Sequence, residues 1–407
     1  MNNKLSIFLR ILSIGLQLAY VKSYTHYLSV TELGYSFYLT ALSYALNALI
    51  LVPADYYQQA RLSAYHNAFP VRSVLALNAR IMLATGVFTG TIGVPIWIAG
   101  KLSFVDLLLI LWLALFLYFS TSLRNYLNNR GHSLFTGWML FIEAALKVVS
   151  FLLLFFLGAS PIHAFVLSTI IAFLIEVLGL VIFFYMRVPC TQDAASDLGF
   201  KSLLRTSSAV SFSAICNWCQ LQGYRVVYVW VGLPEIAGLY AAVSNLGTLG
   251  MNASSTVFSQ MLLPKVYSSK GTYIFQYLKY ALMLCFVILL GYFLLGKVLL
   301  YVLTKKAFEP YSSLMLFGIL VEAGNFLVGA ASIYFTIRRT VFHLVAANIA
   351  GLFAACLGIA ACIVWRPQNY YFLGAALALS QVVVCAMLFE KAKQDMSREV
   401  HNAQIFE

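Results

Sequence analysis

Residues 234–245 read Pro-Glu-Ile-Ala-Gly-Leu-Tyr-Ala-Ala-Val-Ser-Asn and lie between two long apolar segments. A shorter echo near the N-terminus, Thr31-Glu32-Leu33-Gly34-Tyr35-Ser36, also lies between two apolar segments. In each copy an acidic residue, followed by Gly and Tyr, opens an apolar run. The copies are separated by about half of the 407-residue chain. A repeat at that distance predicts a duplicated membrane protein, and duplicated bundles commonly hold their working site between the repeats.

Composition supports the membrane reading. The chain is 62% hydrophobic and 10% charged, whereas a soluble domain is about 45–50% apolar and about 25% charged. A soluble core of this size cannot hide the surplus, so most of the chain faces lipid or other lipid-embedded helices. The net charge of +12 is read as loop charge that orients the chain in a membrane, not as a nucleic-acid footprint. The first apolar segment, 5–27, is too long for a signal-peptide core and lacks a small-x-small cleavage site, so it is expected to remain as the first span. Seven cysteines are present. Cys216-Asn217-Trp218-Cys219 has redox-motif spacing, but it lies mid-helix with no second ligand pair, and free thiols are expected. There is no phosphate-binding Gly-Lys-Ser/Thr loop, and neither a metal nor a cofactor is expected.

A span needs roughly 20 mostly apolar residues, which predicts about twelve. In the first half they lie near 5–27, 35–58, 74–98, 103–121, 133–157 and 161–186. In the second half they lie near 207–231, 238–262, 275–303, 312–336, 341–365 and 370–390. The sizeable polar break, 187–208, contains Asp193, Asp197, Lys201 and Arg205. It divides the chain into an N-terminal six-helix bundle, 1–195, and a C-terminal one with a short cytoplasmic tail, 196–407. Most of the 26 Lys and Arg residues fall at one set of span ends, among them Arg61, Arg124, Arg130, Lys270, Arg338 and Arg339. The opposite loops hold only Lys101, Lys305, Lys306 and Arg366. By the positive-inside rule both termini are expected in the cytoplasm. Six spans per half then relates the bundles by a pseudo-two-fold along the membrane normal. The outer loops are short, which argues against an extracytoplasmic active site.

Ionisable residues inside spans cost about 2.5–3.5 kcal/mol on insertion scales and usually face a bundle interior or a wet cavity. Arg225 is the sharpest case. Asn217 lies eight residues before it and Tyr228 three after it, so a helix sets all three near one face. With Tyr224 they suit a hydrated cavity for sugar and phosphate, since Arg offers a bidentate fork to phosphate. The competing reading is an Arg that snorkels to headgroups. Lys22 holds the matching place in the first half, with the same two readings. Glu143 and Lys147 are four apart with the acid first, the favourable order for a helical ion pair. Glu176 and Glu322 have no partner near in sequence. Burial favours the neutral form of a carboxyl, so with Glu143 they are candidates for ion coupling, and a structural pair with a base on another helix is the alternative. The eighth span is rich in small polar residues, including Ser244, Asn245, Gly247 and Asn252, which serve close packing or line a path for a hydrophilic headgroup.

Glu235-Ile236-Ala237-Gly238-Leu239-Tyr240, with Leu263-Pro264 at the inner end of the same span, resembles the polysaccharide-exporter branch of the multidrug/oligosaccharidyl-lipid/polysaccharide (MOP) flippase superfamily. The Tyr224-Arg225 helix and the Glu32-Leu33-Gly34-Tyr35 copy fit the same pattern. Length and span layout look like the O-antigen flippases known as Wzx. The resemblance implies an all-α integral membrane fold, with two six-helix bundles rocking around a hydrated, cationic cavity. It implies transfer of an undecaprenyl-diphosphate-linked oligosaccharide from the cytoplasmic to the periplasmic leaflet of a bacterial inner membrane, with ion coupling. Membrane lipids, a polymerase and a chain-length regulator are the partners it implies, with no nucleic acid. Many such proteins have an Asp beside the Arg of the seventh span. Here Tyr224 precedes Arg225 and no acid adjoins it, so the resemblance carries no coupling role to that position. A multidrug/ion antiporter of the same superfamily is the nearest rival, but such proteins usually carry an acid in the first span, where this chain has Arg10 and Lys22. A membrane polysaccharide polymerase or glycosyltransferase is the rival from another class, and the short outer loops oppose it.

Overall fold

Backbone polar groups inside a bilayer must be paired within the segment that carries them, so apolar runs of this length can cross only as helices. The computed structural model describes residues 2–62, 69–191, 199–269, 273–337 and 342–405, and they are almost wholly helical. The first half contains α1 (Asn2–Tyr27), α2 (Val30–Leu46), α3 (Val52–Leu62), α4 (Val71–Ile98), α5 (Phe104–Asn129), α6 (Ser133–Phe156) and α7 (Pro161–Arg187). The second contains α8 (Phe200–Trp230), α9 (Pro234–Ser268), α10 (Ile274–Leu303), α11 (Leu314–Ile337), α12 (Phe342–Trp365) and α13 (Tyr370–Ile405). A π-helical turn, Asn47–Leu51, joins α2 to α3. Pro53 explains it: proline donates no N–H and its ring crowds the carbonyl one turn back, which a wider turn relieves.

Each of the twelve expected segments coincides with a helix, α2 and α3 together forming one. Among the described residues, nine are long and apolar enough to cross a membrane. The other three, α1, α8 and α9, are long enough at 26, 31 and 35 residues but more polar. Helix α8 begins earlier than expected, so Lys201 and Arg205 of the polar break are helical. Asp193, Asp197, Lys270, Arg338 and Arg339 lie outside the described residues. A two-stranded parallel pairing of β1 (Phe69–Pro70) with β2 (Cys190–Thr191) was not foreseen. The six cysteines whose side chains are described are free.

Helix ends explain the repeated acid. Ser29 caps α2: its hydroxyl accepts from the Glu32 amide at 3.2 Å, and the Glu32 carboxylate accepts from the Ser29 amide at 2.7 Å. That reciprocal pair satisfies two amides that would otherwise lack partners. Glu235 occupies the first turn of α9 behind Pro234, where proline's missing N–H costs nothing and a negative charge suits the helix dipole. Between α8 and α9 the chain reverses at Gly232, whose φ of 81° favours glycine. The Gly232 amide donates to Val229 and the Leu233 amide to Tyr228, closing the last carbonyls of α8.

By contact the chain forms two compact units. The first is Met1–Ile215 with Arg225–Gly238; the second is Cys216–Tyr224 with Leu239–Glu407. In the first, α6 packs on both α1 and α7, and α7 also packs on α5. In the second, α13 packs on α11 and α12, and α10 on α11. The small residues of α9 have a packing purpose here. A Cβ at Gly247 would collide with the Met315 carbonyl, and one at Gly318 with the Ser244 backbone. Thr248 donates to the Gly318 carbonyl at 3.3 Å. Small residues let helix backbones approach this closely where lipid supplies no hydrophobic drive. Gly318→Leu should therefore destabilise the protein by about 1–3 kcal/mol. A lower thermal midpoint in detergent is the readout, and Gly250→Ala, whose added Cβ has nothing within 4 Å, should not lower it.

Candidate functional site

The stripe on α8 divides between the two units. Arg225 is buried at 8% exposure, and its guanidinium lies over the Phe37 ring, 5.3 Å from the centroid. Phe37 belongs to an aromatic cluster in which it meets Tyr24 and Phe165 edge-on, and Tyr20 stacks on Phe165. The Tyr20 hydroxyl donates to the Phe165 carbonyl at 3.1 Å and pairs with Ser168. A desolvated guanidinium over a ring is held by the negative face of the π-system. Tyr228 is fully buried in the same unit. Tyr224, the neighbour of Arg225, belongs to the second unit and meets Tyr240 edge-on at 5.2 Å.

Lys22 is exposed on α1, while Arg225 is covered. The two cations expected to share one groove thus have different surroundings in this conformation. Asn245 is half-buried on α9, in the second unit.

The buried carboxylates Glu143 and Glu176 of the first unit are not solitary. Arg124 on α5 donates to Glu176 on α7 at 2.8 Å and to Glu143 on α6 at 3.4 Å. Lys147 reaches Glu143 at 2.5 Å and lies over the Phe173 ring. Ser120 donates to the other Glu176 oxygen. The i,i+4 pair read from the sequence is formed. Glu176, expected without a partner near in sequence, is paired to a base on another helix instead. Sequence reasoning missed Arg124 because it counted that residue among the charges at span ends. The available signal was spacing: Ser120 and Arg124 are four apart and share a face of α5.

The second unit holds an amide network around the remaining acid. Asn325 donates to Glu322 at 3.4 Å, both on α11, and Asn217 on α8 donates to Asn325 at 3.3 Å. Among the described residues Glu322 has no ion-pair partner, and the Asn217 carbonyl oxygen is buried without a hydrogen bond. One turn along α8, Gln220 donates to the Asn348 carbonyl at 2.9 Å and accepts from Gln381 at 3.1 Å. Asn325, Asn348 and Gln381 were missed; their signal was an amide inside an otherwise apolar helix, where a polar group needs a partner. The arrangement leaves one carboxyl with weak partners in the second unit and a neutralised cluster in the first. It places Arg225 and Tyr228 in the first unit, and links Asn217 through Asn325 to Glu322 in the second. Of the six predicted binding residues, Lys22, Arg225 and Tyr228 belong to the first unit and Asn217, Tyr224 and Asn245 to the second.

No family model and no curated protein matches this chain. Solved structures do. An inward-facing multidrug resistance MATE transporter of the MOP superfamily superposes with a TM-score of 0.66 at 13% identity, over 96% of this chain and 95% of that one. The lipid II flippase MurJ, in an inward closed conformation, gives 0.66 at 12% identity over 96% and 87%. The MATE multidrug transporter DinF-BH gives 0.66 at 16% over 96% and 95%. At these identities the likeness is one of fold: this chain has the all-helical membrane fold of those transporters.

Removing one member of a buried ion cluster strands the others, at about 3–5 kcal/mol. Arg124→Leu leaves two buried carboxylates with one cation and should lower the thermal midpoint sharply. Lys147→Leu leaves Arg124 bridging both acids and should lower it less.

Proposed function

We propose that this protein is a flippase for a lipid-linked oligosaccharide. It moves an undecaprenyl-diphosphate-linked repeat unit, of O-antigen or a similar glycan, from the cytoplasmic to the periplasmic leaflet of a bacterial inner membrane. The chain termini lie in the cytoplasm, and the halves 1–195 and 196–407 are the bodies that alternate. Fold likeness supports transport in general, and MurJ's printed description, a lipid II flippase, supports a lipid-linked cargo as readily as the MATE structures support small molecules.

The observation that carries the choice is the sign of the charge on the polar helices. Helices α1 and α8 carry Arg10, Lys22 and Arg225 within their length, and α1 has no acid. The buried acids of the first unit, Glu143 and Glu176, are already neutralised by Arg124 and Lys147. A diphosphate needs bidentate basic partners, whereas a cationic drug needs an available acid. The sugar headgroup cannot cross hydrocarbon unaided, because each hydroxyl stripped of water costs several kcal/mol; amides such as Asn217 and Asn245 supply replacement hydrogen bonds, and Tyr224 and Tyr228 support the same face. The antiporter reading keeps one specific support, Glu322 with its weak partners. In the flippase reading Glu322 is the acid that couples ion flow to the cycle, since Glu143 and Glu176 are held in their cluster.

Arg225→Ala should abolish surface polymer in a cell that depends on this protein while leaving its membrane level unchanged. Polymer at parental length and amount would remove Arg225 from the binding set. In proteoliposomes, Glu322→Gln should abolish the response of transport to a proton gradient. A full response in that variant would place the coupling group elsewhere.

A further inference from the structure

Gly34, Phe37 and Tyr38 are spaced three and four apart and share one face of α2. All three meet a single short stretch, 225–238. A Cβ on Gly34 would collide with the Pro234 carbonyl, and one on Gly238 with the Val30 carbonyl and the Gly34 amide. Phe37 lies beneath the Arg225 guanidinium. Tyr38 accepts a hydrogen bond from the Trp230 indole at 2.9 Å. The end of α8, the Gly232 reversal and the first turn of α9 thus form a strap laid along α2. The two glycines are those of the repeated motif, one from each copy.

The strap belongs by contact to the first unit, yet the helical residues on both sides of it, Cys216–Tyr224 and those from Leu239 onward, belong to the second. Helix α9 runs unbroken from Pro234 to Ser268, and a hydrogen-bonded helix moves as a rod. Any movement of the second unit that carries α9 with it must lift the first turn of α9 off α2 or break the helix. The contacts named here are reversible ones: a close backbone approach, a ring under a cation and a side-chain hydrogen bond.

We propose that the strap 225–238 is a releasable latch on α2, which covers Arg225 while docked and uncovers it when released. The inference rests on the transport reading for its purpose, though its geometry does not. Docked, the guanidinium takes the Phe37 face as its partner. Released, it must find water or an anion, so an anionic headgroup and the Phe37 ring compete for the same cation. Glycine at 34 and 238 sets the docked form, because any side chain at either position holds the backbones apart.

The test uses the full-length chain in lipid nanodiscs with Ala237→Cys as reporter, since Ala237 is fully buried within the strap. Labelling by a membrane-impermeant maleimide is measured against the parent, whose native cysteines set the background. Ala237→Cys alone should label slowly, and adding Gly34→Leu should raise the rate by about tenfold as the released population grows. Unchanged labelling in a monodisperse Gly34→Leu protein would overturn the latch. Should Gly34→Leu not fold, Phe37→Leu with Trp230→Phe removes the ring and the hydrogen bond without a clash and leaves the glycine approach in place; it must raise labelling too, and no rise overturns the proposal. Labelling needs neither substrate nor transport. The latch can therefore fail while Arg225→Ala still abolishes polymer, and it can stand if the cargo proves to be something else.

Discussion

Two helices can touch backbone to backbone only where a missing Cβ on at least one of them leaves room, and this constraint organises the molecule. Gly34 and Gly238 allow it where α2 meets the start of α9, and Gly247 and Gly318 allow it where α9 meets α11. In lipid there is little hydrophobic gain from apposing two apolar surfaces, so close dispersion contact and shared polar groups must hold helices together. Glycine supplies the first. The Trp230–Tyr38 and Thr248–Gly318 hydrogen bonds supply the second at the same crossings.

The charges obey the same constraint by another route. An isolated ion in a bundle interior is costly, and the first unit neutralises four of its ions in a cluster spread over α5, α6 and α7. Arg124 bridges both acids because a guanidinium presents several donors in a fixed fork. The second unit adopts a different solution. It uses neutral amides that link α8, α11, α12 and α13, and places one carboxyl at their edge. The repeat seen in the opening motif therefore does not extend to the electrostatics of the two units.

Burial of Arg225 changes the meaning of a site read from sequence. A helical face of Asn217, Tyr224, Arg225 and Tyr228 looks like one wall of a cavity when only spacing is known. In the structure the wall is divided: Arg225 and Tyr228 pack in the first unit, Asn217 and Tyr224 in the second. A stripe on a helix shows which residues share a direction; which neighbours they meet depends on elements far away in sequence, such as Phe37 and Tyr240.

The sequence by itself determined the helical membrane class, the positions of the twelve long segments, the Glu143–Lys147 pair and the importance of the repeated acid-Gly-Tyr motif. Those follow from local rules: apolar length, i,i+4 spacing and the chemistry of helix starts. Only the tertiary structure decided that Glu176 answers to Arg124 and that Arg225 rests on Phe37. It also decided that Gly34 and Gly238, half a chain apart, face each other. Pairing between distant helices depends on the rotation of each helix about its own axis and on the approach its smallest residues permit, and neither quantity is written in any single segment.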